Sequence, residues 1–224
     1  MINYTLVRAK RKTVSIRIRN GSVEVRAPLK YPLSEIDRFV SLKEKWIIDK
    51  LVISQKQKGM KEAFSVNYGD KIYLLGAALP IIEKDGLQAG FDGGCFYLPP
   101  NLEPDHVKEI CVEVYRRLAE SYLATRVAIF ADFMGTKPTA VKISGAKKRW
   151  GSCSSRKSLN FSWRLIMASE DIIDYVIVHE LAHLTQMNHS RKFWAIVESM
   201  LPDYRDRKKE LCKLGKRLAE EDWG

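Results

Sequence analysis

Apolar and polar residues alternate near the start of the chain, which is the pattern of a β-hairpin. In TVSIRIRNGSVEVRAP, residues 13–28, the alternation runs on both sides of Asn20-Gly21. That dipeptide is typical of a type I′ turn, in which both central residues need positive φ. Residues 35–52 then carry apolar side chains at helical spacing. Residues 64–99 are predicted to form short strands separated by Gly-Asp, Asp-Gly and Gly-Gly pairs.

The second half of the chain is predicted to be mainly helical, with a small strand region in its middle. A long helix is expected from Pro104 to about residue 134, followed by strands at 139–144 and 158–166. The segment SCSSRK between those strands looks like a turn. Ser169 is a suitable N-cap for a helix that begins at Glu170. Partly segregated strands and helices predict the α+β fold class.

Three of the four histidines lie within residues 176–194, VIVHELAHLTQMNHSRKFW. His179 and His183 are four residues apart, so both imidazoles project from one face of the predicted helix and can bind one ion. Imidazole nitrogens suit zinc, and a catalytic zinc keeps three protein ligands and one position for water. Glu180 is placed to act as a general base on that water. The pattern predicts a site for one zinc ion per chain.

The third zinc ligand is predicted to be His189. In an unbroken helix His189 would lie roughly 9 Å along the axis and 120° around it from His183, out of reach of the same ion. The chain must therefore turn between them, with Asn188 in a left-handed conformation and Ser190 capping a new helix. Glu198 in that next helix is the rival ligand, because some zinc hydrolases use a carboxylate.

The charge is strongly positive and unevenly distributed. The formal net charge is +11, and residues 133–169 hold eight Lys and Arg residues but no Asp or Glu. Residues 1–30 hold eight basic residues and one acidic residue. Such clustering is typical of proteins that bind nucleic acid or phosphorylated substrates, although a merely solvated basic surface gives the same pattern.

A cytoplasmic location is expected. No apolar run approaches the roughly 20 residues of a membrane span, so no membrane partner is predicted. The first residues lack the apolar stretch of a signal peptide. The four cysteines are scattered without a C-x-x-C pair, so neither a thiolate zinc site nor a redox motif is predicted.

The chain resembles the YgjP-like family of predicted metal-dependent hydrolases, which are related to SprT-type and minigluzincin-type zinc peptidases. The most specific matching segments are KKRWGSCSSRKSLNFSWRLI at 147–166 and DYVIVHELAHLTQMNHSRKFW at 174–194. Weaker matches are RAP at 26–28 and LPDY at 201–204. The histidine spacing is also that of metzincins, but Gln186 occupies the position of their turn glycine.

This resemblance implies a zincin-like catalytic region, with a small sheet over the active-site helix, in residues 101–224. A β-rich region with one helix, residues 1–100, precedes it. Zinc would be held by His179, His183 and His189, with Glu180 as general base. The edge strand that binds extended peptide would be residues 150–153 or 160–163. Further candidate substrate-binding residues are Lys147, Lys148, Arg149, Trp150, Asn160 and Tyr204.

Three different functions are consistent with these residues. The leading hypothesis is a zinc metallopeptidase acting on a peptide or protein. A second keeps the metal but hydrolyses the phosphoanhydride of a nucleotide, with Lys147, Lys148 and Arg149 beside the phosphates. A third is a nucleic-acid-binding protein whose histidines are structural, which would bind less tightly as salt increases.

Overall fold

The computed structural model describes residues 2–19, 21–86 and 88–224 and forms two compact units. One unit contains the residues up to Phe64 together with Ala219–Asp222, and the other contains Ser65–Leu218 with Trp223–Gly224. The division predicted from the sequence, at residue 100, is a different one and stays a prediction.

The first unit begins with a three-stranded sheet. Its strands are β1 (Thr5–Ala9), β2 (Ser15–Arg19) and β3 (Ser22–Pro28), in the order β1-β3-β2. The predicted hairpin is confirmed, since β2 and β3 pair antiparallel with Ile18 opposite Val23. Asn20 of the predicted turn lies outside the described residues. Strand β1 adds to the other side of β3 in parallel.

Two helices complete this unit, where the apolar spacing predicted one. They are α1 (Leu33–Leu42) and α2 (Glu44–Ala63), with a break at Lys43, whose φ of −104° and ψ of 7° interrupt the helix. The single-helix prediction is therefore wrong, because the apolar residues keep similar spacing on both sides of the break. Ile36 from α1 and Ile47 from α2 are fully buried with Val25 of β3, and burial of these faces stabilises the unit.

The second unit opens with a four-stranded sheet and a long helix. The strands are β4 (Lys71–Leu74), β5 (Ala77–Glu83), β6 (Gly90–Phe91) and β7 (Phe96–Leu98), in the order β4-β5-β7-β6. Helix α3 spans Pro104–Phe133, close to its predicted bounds. Its buried side, which includes Tyr115 and Leu123, belongs to the core of this unit.

A third sheet positions the candidate site. Strands β8 (Ala140–Ser144), β9 (Gly151–Cys153) and β10 (Ser158–Ser162) lie in the order β8-β10-β9. The strand predicted at 158–166 is too long, because Trp163–Met167 forms a 3-10 helix. All five residues of that helix are buried, so they do not alternate between core and solvent as in a half-buried strand. Strand β9 is an edge, whereas β10 is central.

Three helices follow, and the first two have their predicted starts. They are α4 (Glu170–Ala182), α5 (Arg191–Met200) and α6 (Tyr204–Leu218). Ser190 caps α5 by accepting a hydrogen bond from the Phe193 N–H, whereas Ser169 occupies the N-cap of α4 without a side-chain bond. The α+β prediction is confirmed. Among the described residues, no helix has the length and apolar character needed to cross a membrane.

Candidate metal centre

Helix α4 and the turn after it bring three histidines together. The rings of His179 and His183 lie one helical turn apart, with centroids 5.0 Å from each other. The His189 ring centroid is 5.0 Å from that of His179 and 4.8 Å from that of His183. One nitrogen from each ring lies within 4.8 Å of the other two. His189, and not Glu198, therefore lies beside His179 of α4 and His183 at the C-cap of that helix.

The chain reverses after α4 through a tight turn, not through a left-handed residue at 188. The N–H groups of Thr185 and Gln186 both donate to the carbonyl of Ala182. Outside glycine, positive φ among the described residues occurs at Leu75, Asn101 and Lys157, so the conformation predicted for Asn188 is wrong. The predicted turn itself is present, because hydrogen bonds back to the last helical carbonyls end the helix equally well.

The three imidazoles fit a tetrahedral metal ion such as zinc. The Nε2 atoms of His179 and His189 are 3.1 Å apart, close to the roughly 3.3 Å expected for two ligands at 2.0–2.1 Å from a tetrahedral zinc. The Nδ1 of His183 lies 3.0 Å from the Gln186 carbonyl oxygen. With the proton on Nδ1, this nitrogen donates a hydrogen bond to the carbonyl, and the lone pair of Nε2 stays free to bind a metal. A metal-binding histidine usually has its second ring nitrogen bonded in this way.

Burial keeps His179 and His183 neutral. Desolvation, with smaller contributions from the charges of neighbouring groups, lowers the pKa of His179 to about 3. Burial also lowers the pKa of His183, against the hydrogen bond to the Gln186 carbonyl, which raises it. A neutral imidazole is the form that binds metal. His179 and His183 are therefore in the neutral form that binds metal at neutral pH.

The Glu180 carboxyl lies on the side of α4 that faces strand β9. The residue is only 6% exposed, and burial raises its pKa to about 7, while the charge of Arg149 acts in the opposite direction. A carboxylate with a pKa near 7 accepts and returns a proton readily at neutral pH. The sequence motif places Glu180 next to the predicted metal ligand His179, and the fold supplies its burial.

Gly151 of β9 sets the space available to Glu180. A Cβ atom added at Gly151 would lie 2.6 Å from both Cγ and Oε1 of Glu180, and 2.8 Å from Cδ. Real Cβ atoms essentially never approach other atoms so closely. A side chain at position 151 would therefore force the Glu180 carboxyl or the edge strand to shift. This contact joins residues far apart in the chain, and no local sequence pattern indicates it.

Two aromatic residues of α5 pack around the histidines. The fully buried Phe193 has its ring centroid 4.9, 4.6 and 4.8 Å from the centroids of His179, His183 and His189. The Trp194 ring stacks on His189, with centroids 5.7 Å apart and an interplanar angle of 25°. These contacts restrict the rotation of all three imidazoles. Neither aromatic is among the site residues predicted from the sequence.

The family follows from the whole chain. The family described as YgjP-like, metallopeptidase domain, matches residues 12–214. The protein belongs to the YgjP-like family. The resemblance seen in the motifs is thereby confirmed, and so is the prediction of a metal-dependent hydrolase.

Two solved structures resemble part of this YgjP-like protein. The metallopeptidase zymogen abylysin of Pyrococcus abyssi is 22% identical, with a TM-score of 0.38, and the match covers 41% of this chain and 92% of that one. The metallopeptidase zymogen jannalysin of Methanocaldococcus jannaschii is 18% identical, with a TM-score of 0.37, covering 41% and 94%. No curated protein matches the sequence significantly.

The other candidate residues of the YgjP-like chain lie in different surroundings. Lys147, Lys148 and Arg149 are exposed in the segment between β8 and β9. Of these, Arg149 is close enough to Glu180 to influence its pKa. Glu198, the rival ligand, instead forms an ion pair with Arg205 at 3.4 Å.

The three remaining candidates have structural partners. The Trp150 ring lies beside Gly215 of α6, where an added Cβ would be 3.7 Å from the ring. Asn160 lies in the central strand β10, opposite Ser152 on one side and the β8 strand on the other. Tyr204 is 7% exposed and stacks on Trp194 at 5.3 Å. Their roles in substrate binding stay predictions.

Proposed function

We propose that this metallopeptidase-family protein is a zinc-dependent peptidase that uses His179, His183 and His189 as zinc ligands and Glu180 as general base. The observation that carries the proposal is the convergence of three imidazoles beside a buried carboxyl whose pKa is raised to about 7. Three histidine ligands favour zinc over Mg²⁺ or Ca²⁺, which prefer oxygen ligands. One ion per chain follows from the one such set of ligands among the described residues.

The reaction needs a group that moves a proton from water to the leaving amine. When bound, zinc would supply Lewis-acid chemistry, polarising the carbonyl and acidifying water. Glu180 takes the proton from the attacking water and later donates it to the amine nitrogen of the departing peptide. Its buried position keeps bulk water from competing for that proton, and its pKa near 7 suits both transfers.

The edge strand β9 is the proposed binding strand for the substrate. Its inner side pairs with β10 in the register Leu159 with Cys153 and Phe161 with Gly151, so its outer side can pair with an extended peptide. Gly151 lies directly against Glu180. A peptide added to this edge would therefore run past the carboxyl, which supports residues 151–153 over 160–163 as the edge.

The family match favours a peptide over the other two substrates suggested by charge. The basic residues before β9 are exposed, and the metallopeptidase family supports neither a nucleotide nor a nucleic acid as partner. A peptide or protein substrate is accordingly the proposal. Nucleoside triphosphates enter the experiment as a control substrate.

The test is a cleavage assay with two matched variants. Zinc-loaded protein is incubated with a mixed pool of unstructured peptides, and products are identified by mass spectrometry. E180Q removes the proposed base and is expected to lower cleavage by at least about 100-fold. E198Q makes the same chemical change on an exposed carboxylate and should cleave as the wild type does.

Two results would contradict the proposal. One is a pool left intact by zinc-loaded wild-type protein. The other is cleavage that survives in E180Q, since this would show a contaminating protease or a mechanism without that carboxyl. If no peptide is cleaved but nucleoside triphosphates release phosphate in a reaction that depends on Glu180, the site hydrolyses phosphoanhydrides instead of peptides.

A further inference from the structure

An open groove runs along helix α6 next to the candidate metal centre. Its cavity volume is about 820 Å³, and Trp194 and Tyr204 form its aromatic part. Five basic side chains also line this α6 groove: Arg205, Lys208, Lys209, Lys213 and Lys216. Trp194 links the groove to the histidine cluster, because its ring also stacks on the His189 ring with centroids 5.7 Å apart.

The basic residues share one helix face. Their spacings of three and four residues place them in neighbouring rows along α6. From Lys208 to Lys216 the helix rises roughly 12 Å, which is about the length of three or four residues of extended peptide. Charged groups are therefore spaced along a distance that a short stretch of substrate would cover.

The ion pairs already present leave positive charge in the groove. Lys209 pairs with Asp206 and Lys213 with Glu210, each at 2.7 Å, and Arg205 pairs with Glu198. Such exposed pairs are worth at most about 1 kcal/mol, so a ligand carboxylate can replace them. Lys208 and Lys216 form no ion pair with any described residue, and the Lys208 ammonium lies 5.3 Å from the Trp194 ring centroid.

From this arrangement we propose that the α6 groove binds an acidic segment of the substrate polypeptide, next to the bond that is cleaved. The inference rests on the proposed peptidase function and adds a substrate class to it. A chain passing the metal centre meets Trp194 first, and its Asp or Glu side chains then meet the row of ammonium groups. No acidic side chain lines the groove among the described residues, so charge complementarity favours this occupant.

The first experiment compares cleavage of matched peptides. A peptide cut by the enzyme is made with four flanking glutamates and with four flanking glutamines, and kcat/KM is measured at low and high salt. The acidic peptide should be preferred by roughly 5- to 30-fold at low salt, and the preference should shrink at 0.5 M salt. The preference should fall in the double variant K208Q/K216Q, which removes the two lysines that form no ion pair with a described residue.

A matched control keeps the change in net charge. Lys45 and Lys50 are exposed residues of α2 in the other unit, and K45Q/K50Q should retain the acidic preference. Zinc content is measured in both double variants, so that loss of metal is recognised. Equal kcat/KM for the two peptides, or a preference unchanged in K208Q/K216Q, would overturn the inference.

A binding assay separates this inference from the proposed function. Binding of the acidic and glutamine peptides to E180Q is followed by calorimetry, which requires no cleavage. Tighter binding of the acidic peptide, weakened in K208Q/K216Q, supports the groove even if the protein cleaves no peptide. Equal binding of both peptides contradicts it. A single-stranded oligonucleotide that binds through the same lysines more tightly than the acidic peptide would also contradict it.

Discussion

Replacing Gly151 by alanine tests how the edge strand and the general base fit together. The new methyl group would lie 2.6 Å from Cγ and Oε1 of Glu180, whereas carbon atoms in good contact are separated by roughly 3.5–4.0 Å. Either the carboxyl or strand β9 must therefore move by about 1 Å. No zinc ligand is changed by this substitution, so its effect on activity is separable from metal loss.

The magnitude follows from two known effects. Overfilling a packed site generally lowers the free energy of unfolding by about 1–3 kcal/mol. A displacement of about 1 Å in a catalytic group lowers the rate by roughly 100-fold. We therefore expect G151A to fold, to keep one zinc per chain and to cleave peptide about 100-fold more slowly than the wild type.

The assay combines kcat, zinc content and urea unfolding with a matched glycine variant. G59A introduces the same methyl group in helix α2, where no atom lies within 4 Å of the added Cβ, and it should be neutral or stabilising by up to about 1 kcal/mol. A double-mutant cycle adds G151A/E180Q. In that background G151A should have little further effect on kcat, because the group it displaces is already removed.

Two outcomes would refute this reasoning. If G151A cleaves peptide at the wild-type rate, the contact between Gly151 and Glu180 does not control the position of the base. If G151A and E180Q lower kcat independently, so that the double variant shows the product of both effects, Gly151 acts through some other group.

The remaining predictions concern metal affinity, capping and pH. F193A should lower the free energy of unfolding by about 3–5 kcal/mol and weaken zinc binding in a chelator competition, because the ring touches all three imidazoles. S190A should lose about 1 kcal/mol in urea unfolding, since the α5 cap is removed. In chelator-treated protein, buried His179 has a pKa of about 3, against an ordinary value of 6.5. As the pH falls below 6.5, the unfolded chain therefore binds a proton that the folded state does not, and the free energy of unfolding decreases. Glu180, with its pKa raised from 4.5 to about 7, acts in the opposite direction, because the folded state is protonated first. E180Q removes this stabilising effect of Glu180. The free energy of unfolding of E180Q should fall by about 2 kcal/mol from pH 7.5 to 5, whereas that of the wild type should change much less.

The sequence predicted those parts of the site that depend on local spacing. His179 and His183 share a helix face because they are four residues apart, and the distance to His189 required a turn. The turn is present, but the atoms that form it were not predicted correctly. Hydrogen bonds to Ala182 end the helix, and several turn geometries satisfy the same carbonyls, so the sequence did not distinguish them.

Contacts between distant segments were not predictable in the same way. The approach of Gly151 to Glu180 depends on the register of β9 with β10 and on the packing of that sheet against α4, neither of which leaves a local pattern. Phe193 has the apolar spacing of any core residue, so the sequence pattern did not predict its position among the three imidazoles. Helix α6 was not predicted, because it is mostly charged and buries few side chains, such as Leu211 and Leu214.

The metal content of purified protein shows whether His179, His183 and His189 hold one zinc ion. The wild type, after dialysis against zinc and removal of excess metal, should contain about one zinc per chain by mass spectrometry. H183A and H189A should each lose it, and E198Q should keep it. Absence of zinc from the wild type, or loss of zinc in E198Q with retention in H189A, would contradict the account.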